Sequence, residues 1–300
     1  MTGQLTWLVT GCTSGMGESL VHAILEAGDR VIATGRGRES SGVERLSHLK
    51  DAGAAVMELD VTAPEHVIKA KVAEAWNIYG QIDVLVNNAG YIDVGIFEEL
   101  DEKSLTRALH TNAIGPLNLT RAFLPYMRSR GTGTLLFMSS VGAYYGTPGA
   151  SSYSGSKGLL EAIVPNIAAE GAPFGIRTCM LIPGFFRTKV WTPGNIFYRA
   201  PNPLPEYAEI NKGLHTFCID GDGKQPGDPR KAADVILDAV KGQGLCAGRE
   251  LPPFLPLGPD GVQIIRENLE GRLKVVKEWE EVASATNFSD LTPIIEKAKL

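Results

Sequence analysis

The stretch that decides the fold is residues 5–17, LTWLVTGCTSGMG, near the start of the chain. Its first six residues, Leu5–Thr10, are apolar or β-branched and predict a buried strand. Three glycines spaced G-x-x-x-G-x-G follow, and a helical stripe of apolar residues then runs from Gly15 to Gly28. A strand that passes through a glycine turn into a helix is typical of the first half of a βαβ unit, which belongs to a parallel sheet.

The same alternation continues along the chain. Strand patterns recur at 30–34, 54–59, 83–86, 134–138 and 176–182, with helical patterns between them at 41–52, 64–79, 101–129 and 150–173. Residues 183–229 contain seven prolines and no long periodic segment, and a helix (229–241), a short strand (253–257) and a last helix (259–282) follow. We therefore expect an α/β fold, a doubly wound Rossmann-type parallel sheet of about seven strands with helices on both faces.

No internal repeat or low-complexity linker divides the chain, so residues 1–300 are expected to form a single domain. Within it, the proline-rich segment 184–228 is predicted to be a substrate-binding loop or lid, because loops of this length in compact domains are usually functional. Residues 284–300 are predicted to be a C-terminal tail.

Composition excludes several classes of protein. The 300 residues are 44% hydrophobic and carry a formal net charge of −5, which argues against a nucleic acid or an anionic membrane as partner. No apolar run reaches the length of a membrane span, and the first residues do not resemble a secretory signal. The four cysteines are far apart and form no CxxC, so neither a metal site nor a disulfide framework is expected. These features predict a cytoplasmic protein.

The glycine turn is a candidate phosphate cradle, because glycine lets a pyrophosphate approach the backbone and a helix N-terminus offers unpaired N–H groups. Arg36 follows the second strand, where a carboxylate would bind a ribose 2′-hydroxyl and an arginine would accommodate a 2′-phosphate. We therefore expect a dinucleotide cofactor, NADP(H) in preference to NAD(H), although NAD(H) stays open. Arg38 is a second basic residue that could assist. A ligand-free tight turn and a solvated surface arginine are the alternatives.

Polar residues close further strands at the same predicted edge. Asp60 closes the third strand, where it either contacts the cofactor or caps the helix that opens at Pro64. The sequence Asn87-Asn88-Ala89-Gly90 closes the fourth strand. Ligands of open α/β sheets bind at the carboxyl ends of the strands, so both motifs are candidate ligand contacts.

Ser139 and Ser140 close the fifth strand, and Tyr153 and Lys157 follow four residues apart, on one face of a predicted helix. An ammonium group one turn away favours the phenolate of a tyrosine, whose ordinary pKa is near 10. Tyr153 is therefore a candidate acid and base, and a serine hydroxyl can hold the reacting oxygen. Tyr-x-x-x-Lys alone is a weak signal, and its combination with the glycine turn, the strand-end serine and NNAG makes it specific.

Together these motifs resemble those of the short-chain dehydrogenase/reductase family. The matching stretches, in the family's order and spacing, are TGCTSGMG, LDVT, NNAG, HTNAIGP, MSSVG, YSGSK and PGFFRT. The later stretches QPGDPRKAADVILDAV and LPLGPD look like a fungal and bacterial branch of oxidoreductases. The resemblance covers about residues 5–290.

The resemblance implies roles for individual residues. Tyr153 would be the acid/base, Lys157 would lower its pKa and hold the nicotinamide ribose, Ser140 would bind the substrate oxygen, and Asn112 would anchor a water that relays protons. The implied cofactor contacts are Gly11, Ser14, Gly15, Met16 and Gly17 at the phosphate turn, Asp60 and Val61 at the adenine, Asn88, Ala89 and Gly90 along the cofactor, and Pro183, Gly184, Phe186 and Thr188 at the nicotinamide.

Two positions depart from the family pattern. Gly155 stands where alanine is usual, and Pro165 falls inside the predicted catalytic helix, where it removes one backbone hydrogen bond and should kink the helix. Neither residue deletes a catalytic group. Both put the family's usual helix-packed dimer surface in doubt, although a homodimer or homotetramer is compatible with the sequence.

The expected function is therefore NADP(H)-dependent interconversion of a ketone or aldehyde and an alcohol on a small-molecule substrate. A non-redox isomerase or cyclase that retains the fold and the cofactor site is the alternative. Aromatic residues near the catalytic serine and in the long loop indicate a bulky, apolar substrate, or else a lid packed on the core: Tyr144, Tyr145, Phe185, Trp191, Phe197 and Tyr198.

Overall fold

The computed structural model describes residues 3–37, 43–192 and 195–286. Arg38, the second basic residue considered above, lies outside them. The described strands are β1 (Thr6–Val9), β2 (Arg30–Gly35), β3 (Ala55–Glu58), β4 (Val84–Asn87), β5 (Ile92–Val94), β6 (Gly133–Met138), β7 (Ile176–Pro183), β8 (Ile196–Tyr198) and β9 (Phe254–Leu257). Seven of them form one parallel sheet in the order β3-β2-β1-β4-β6-β7-β9, and β5 and β8 pair in a small separate sheet.

The helices pack on both faces of the large sheet. They are α1 (Gly15–Glu26), α2 (Ser47–Asp51), α3 (Glu65–Tyr79), α4 (Glu102–Leu109), α5 (Gly115–Arg130), α6 (Ser151–Gly171), α7 (Ala208–Gly221), α8 (Pro229–Lys241) and α9 (Pro259–Ser284). One apolar core joins the sheet to α1 and α8, and the other joins it to α3, α5 and α6. Strands β1, β4 and β6 are buried along their whole length, as strands covered on both faces must be. The predicted fold class is thus confirmed.

Two local predictions from the sequence were wrong, and one of the two alternatives left open for Asp60 is excluded. The helix predicted over 101–129 is divided into α4 and α5 by a π-helical turn, His110–Ile114. The segment after Pro183 does contain regular structure, namely β8 and the 14-residue helix α7. Asp60 does not cap α3, because α3 begins at Glu65 with Pro64 in the N-cap position. Helix α6 continues through Pro165 to Gly171.

The carboxylate of Asp29 ties three elements together at the edge of the first core. Its side chain is 1% exposed and accepts hydrogen bonds from the Leu5 backbone N–H and from Trp7 Nε1, each at 3.0 Å. The ammonium group of Lys241, the last residue of α8, lies 3.0 Å from both carboxylate oxygens. Removal of one member of such a buried pair leaves an uncompensated charge.

We expect Asp29→Ala to lower the free energy of unfolding by about 3–5 kcal/mol, because Lys241 would keep its charge without its partner. Urea unfolding followed by tryptophan fluorescence and circular dichroism measures this change. The matched control is Lys69→Ala, which removes one member of the exposed Lys69–Glu65 pair and should leave the urea midpoint nearly unchanged. A similar midpoint for Asp29→Ala and the control would contradict this account of the buried pair.

Candidate active site

A cavity of about 410 Å³ lies at the carboxyl ends of the strands of the large sheet. Arg36 and the residues to which the resemblance assigns a catalytic or cofactor role all line it, except Gly17 and Asn112. Those two are buried directly beside lining residues, Gly17 against Asn88 and Asn112 against Gly90. The structure therefore brings the nucleotide motifs and the catalytic motifs to one space.

The glycine turn has the shape of a phosphate cradle. Gly11 and Gly15 have φ values of +71° and +68°, a left-handed conformation that favours glycine. A β-carbon on Gly11 would lie 2.8 Å from the Cα atom of Ala89, so the turn could not hold a side chain there. The side-chain amide of Asn88 donates to the Thr10 carbonyl at 2.7 Å. Asn88 thus holds the turn in shape, a role that its position in NNAG alone does not reveal.

Helix α1 begins at Gly15 on the cavity wall, so the unpaired N–H groups and the partial positive charge of its first turn lie at the cavity. Thr188 lies across the turn, because a β-carbon on Gly15 would be 3.2 Å from the Thr188 Cβ atom. Asp60 Oδ1 accepts one hydrogen bond from the Thr62 N–H at 2.8 Å and another from the Thr62 hydroxyl at 2.7 Å. These two hydrogen bonds fix the cavity wall at the end of β3. These residues fit a dinucleotide.

Ser140 and Tyr153 converge on one point of the wall. A β-carbon on Gly142 would lie 3.4 Å from Ser140 Oγ and 3.2 Å from Tyr153 Cε1. Burial raises the pKa of Tyr153 above its ordinary value, and the hydrogen bond from Ser140 acts in the opposite direction. The shift of the Tyr153 pKa is therefore opposite in sign to the one expected from Lys157.

Lys157 lies one turn after Tyr153 on α6 and is 4% exposed. Its ammonium group donates to the Met138 carbonyl at 2.7 Å and is 5.8 Å from the centre of the Tyr153 ring. Burial lowers the pKa of Lys157 to about 8. The ammonium group of Lys157 is thus held away from water, at a cost in desolvation.

Asn112 lies in the π-helical turn between α4 and α5, a type of irregularity that is frequent at functional sites. Its Oδ1 atom accepts from the Tyr91 N–H, and its Nδ2 atom donates to the Tyr91 carbonyl and to Ser156 Oγ, each at 3.0 Å. Asn112 therefore links the segment after NNAG to α6, the helix that carries Tyr153 and Lys157. The π-helical turn that aims it is not visible in the apolar pattern of the sequence.

Glu161 is a site residue that the sequence analysis missed. It accepts from Ser139 Oγ at 2.5 Å and from the Tyr144 hydroxyl at 2.8 Å, and so fixes the chain on both sides of Ser140. Burial and this carboxylate raise the pKa of Tyr144. The spacing along the sequence could have indicated this residue, because Glu161 follows Lys157 by four residues and so lies on the same face of α6.

Aromatic side chains form the outer part of the cavity. The rings of Phe185 and Trp191 are 5.7 Å apart, and those of Trp191 and Phe217 are 5.5 Å apart. Of the six aromatic residues considered above, Tyr145, Phe185, Trp191 and Phe197 line the cavity, whereas Tyr144 binds Glu161 and Tyr198 packs on His215. The side chain of Phe186 belongs to the first apolar core.

Gln225 is a second residue that the sequence analysis missed. It lines the cavity and is 3% exposed, yet among the described residues neither polar atom of its side chain has a hydrogen-bond partner. A buried amide without partners is costly, and a ligand that completes its hydrogen bonds would remove that cost.

The pKa of Lys157 makes stability depend on pH. The unfolded lysine, with an ordinary pKa near 10.5, binds more protons than the folded one between about pH 8 and pH 10.5. Wild-type stability should therefore rise with pH in this window relative to Lys157→Met, by up to about 3 kcal/mol. Urea unfolding of both proteins at pH 7 and pH 10.5 measures the difference. A difference that does not change with pH would show that Lys157 is not desolvated.

None of the helices in the described part of the chain is both long enough and apolar enough to cross a membrane.

The chain matches a family model described as short chain dehydrogenase over residues 6–196. It is 28% identical over 281 residues to the oxidoreductase BOA17 of Botryotinia fuckeliana, an alignment that covers 93% of this chain and 98% of the relative.

Two solved structures are similar as well. A short-chain dehydrogenase from Streptomyces avermitilis superposes with a TM-score of 0.82 at 37% identity and covers 95% of this chain and 100% of its own. A variant of actinorhodin polyketide ketoreductase crystallised with NADPH gives a TM-score of 0.65 at 26% identity, over 83% of this chain and 94% of its own. With its seven-stranded parallel sheet and the match over residues 6–196, the chain belongs to the short-chain dehydrogenase family of oxidoreductases.

Proposed function

We propose that this enzyme interconverts a ketone or aldehyde and an alcohol, on a bulky and apolar substrate, with NADP(H) as the preferred cofactor. The observation that carries the proposal is the hydrogen bond between the Ser140 and Tyr153 hydroxyls, beside Gly142 on the wall of a cavity that the glycine turn also lines. Two hydroxyls aimed at one point can bind a single substrate oxygen, which is the atom that must gain or lose a proton.

NADP(H) would supply or accept the hydride. The chain's own task is then to move one proton and to hold the substrate oxygen. In the direction of reduction, Tyr153 donates its phenol proton to the carbonyl oxygen while the Ser140 hydroxyl donates a hydrogen bond to it. Because burial raises the pKa of Tyr153, the phenol is protonated at neutral pH, which is the form that this step requires.

The walls of the cavity support a bulky, apolar substrate. Phe185, Trp191 and Phe217 form a continuous aromatic cluster, and Leu214 lies beside them on α7. Aromatic and aliphatic walls gain free energy by removing apolar ligand surface from water. Helix α7 belongs to the segment 184–228, which we propose is the substrate-binding part of the chain.

The nucleotide end of the cavity supports a preference for NADP(H). Arg36 follows β2 and lines the cavity, and Arg45 lines it as well. A guanidinium group suits bidentate binding of a phosphate. Gly35 closes β2 without a carboxylate that would repel a 2′-phosphate. The similar ketoreductase crystallised with NADPH is compatible with this choice.

The acid/base role predicts that Tyr153→Phe lowers kcat by at least about 10²-fold, because the proton donor is lost while the ring is kept. Turnover is followed as NADPH absorbance with a panel of aromatic and aliphatic ketones, and NADPH affinity by fluorescence titration should change little. Tyr79→Phe, at the end of α3 beside Arg30, is the matched control and should turn over like the wild type. Wild-type turnover in Tyr153→Phe would exclude the mechanism.

The wild type should prefer NADP(H) over NAD(H) by roughly one to two orders of magnitude in kcat/KM, the equivalent of about 1.5–3 kcal/mol from charge-assisted hydrogen bonds. Arg36→Leu should remove most of this preference, and Gly35→Asp with Arg36→Leu should reverse it. Because a β-carbon on Gly35 would lie 2.9 Å from Thr13 Cγ2, the double variant is also made with Thr13→Ser, which removes that methyl group.

Arg128→Leu, an exposed arginine on α5, is the control for loss of one positive charge and should keep the wild-type preference. A wild type that prefers NAD(H), or a preference that does not move in the Arg36 variants, would overturn the cofactor assignment.

A further inference from the structure

The small sheet is held together by the side chains on one of its faces. Strands β5 and β8 run parallel with Asp93 beside Phe197, and alternate residues of a strand point to the same face. The residues that share this face are therefore Tyr91, Asp93, Phe197 and Arg199. The Arg199 backbone N–H donates to the Val94 carbonyl at 2.7 Å, which extends the pairing one residue beyond β8.

The four side chains contact one another, and Asp93 is the centre of the group. Its carboxylate is 0% exposed and accepts from Arg199 Nε at 3.1 Å on one oxygen and from the Tyr91 hydroxyl at 3.1 Å on the other. The Arg199 guanidinium lies 4.9 Å from the centre of the Phe197 ring, which meets the Tyr91 ring edge to face at 5.6 Å. Burial and the Asp93 carboxylate raise the pKa of Tyr91 to about 12, so the phenol stays a donor at neutral pH.

A second buried carboxylate holds the next part of the same segment. Glu99 is 0% exposed, and it accepts from the Leu204 N–H at 2.9 Å and from the side-chain amide of Asn211 at 2.7 Å. Leu204 precedes α7, and Asn211 lies in the first turn of that helix. Residues 91–99, which directly follow NNAG, thus fix both β8 and the start of α7.

The elements that these carboxylates fix form the apolar part of the cavity wall. Apolar residues of β5, β8 and α7 line the cavity, among them Ile92, Val94, Ile196, Phe197, Leu214 and Phe217. Of the described residues 91–94, Asp93 alone does not line it. The Asp93 carboxylate therefore acts on a ligand only through the elements that it holds.

We propose that Asp93 is a positioning residue for the substrate, because its bond to Arg199 fixes β8 against β5 and so sets the wall that contacts the apolar part of a bulky ketone. The identity of the substrate rests on the proposed function. The backbone of Tyr91 stays anchored to Asn112 when the carboxylate is lost, so the chemical step should be nearly unaffected. Loss of Asp93 should weaken substrate binding instead.

Steady-state kinetics with NADPH and 2-acetonaphthone, a bulky aromatic ketone, test this role. Asp93→Ala should raise KM about tenfold, the equivalent of about 1.4 kcal/mol, and change kcat by less than about twofold. Arg199→Met keeps an unbranched stem on Phe197 but removes the charge, and it should raise KM by a similar factor. Because both changes remove the same link, the double variant should raise KM no further than the single variants do.

Glu98→Ala is the matched control, since it removes an exposed carboxylate of the same segment, one that binds the Tyr207 hydroxyl, and should leave KM unchanged. Circular dichroism and NADPH binding establish that each variant is folded. Equilibrium dialysis of 2-acetonaphthone against enzyme and NADP⁺ gives the dissociation constant without turnover, and this constant should rise with KM.

A wild type that binds 2-acetonaphthone without reducing it would contradict the proposed function alone, because the dissociation constants still test the role of Asp93. Four results would overturn that role. They are a wild type that does not bind the ketone, equal dissociation constants for the wild type and Asp93→Ala, a fall in kcat at unchanged KM, and additive effects in the double variant.

Discussion

The close approach of Gly11 to Ala89 is the constraint on which the rest of the site depends. It places the ends of β1 and β4 so near each other that a β-carbon would not fit between them, and the Asn88 amide closes the gap with a hydrogen bond to Thr10. The same contact aims α1 at the cavity. From there a continuous chain of contacts reaches the catalytic helix, because Asn112 binds both Tyr91, just after NNAG, and Ser156 on α6.

The side chains of Lys157 and Tyr153 are held at a cost in desolvation. Lys157 is buried as an ammonium group with a lowered pKa, and the phenol of Tyr153, in the same wall, has a raised pKa. Glu161 accepts hydrogen bonds from Ser139 and Tyr144, and so ties down the chain on both sides of Ser140. Pre-organisation of this kind lets a hydroxyl act on the substrate oxygen without first rearranging the wall.

The large sheet could be predicted from the sequence because each of its strands is a run of apolar residues between turn signals, and the site followed because the family motifs end those strands. The small sheet could not be predicted, because β5 and β8 are each only three residues long. The central residue of β5 is moreover a buried carboxylate, Asp93, which breaks the apolar pattern. Within the described chain, α7 buries only Cys218, so its apolar residues show no core-facing stripe. The hydrogen bonds of Glu161 depend on the tertiary structure, and so does the lack of partners for the Gln225 amide among the described residues. No local sequence pattern predicts either of them.

We propose that this chain transfers a hydride to a carbonyl carbon while Tyr153 protonates the oxygen. The most direct measurement is mass spectrometry of the product formed from an aromatic or aliphatic ketone with NADPH in which both hydrogens at C4 of the nicotinamide are deuterium. We expect an alcohol with one deuterium on the carbinol carbon from the wild type, and far less of this alcohol from Tyr153→Phe. A product formed without deuterium, or equal amounts of labelled alcohol from both proteins, would contradict this mechanism.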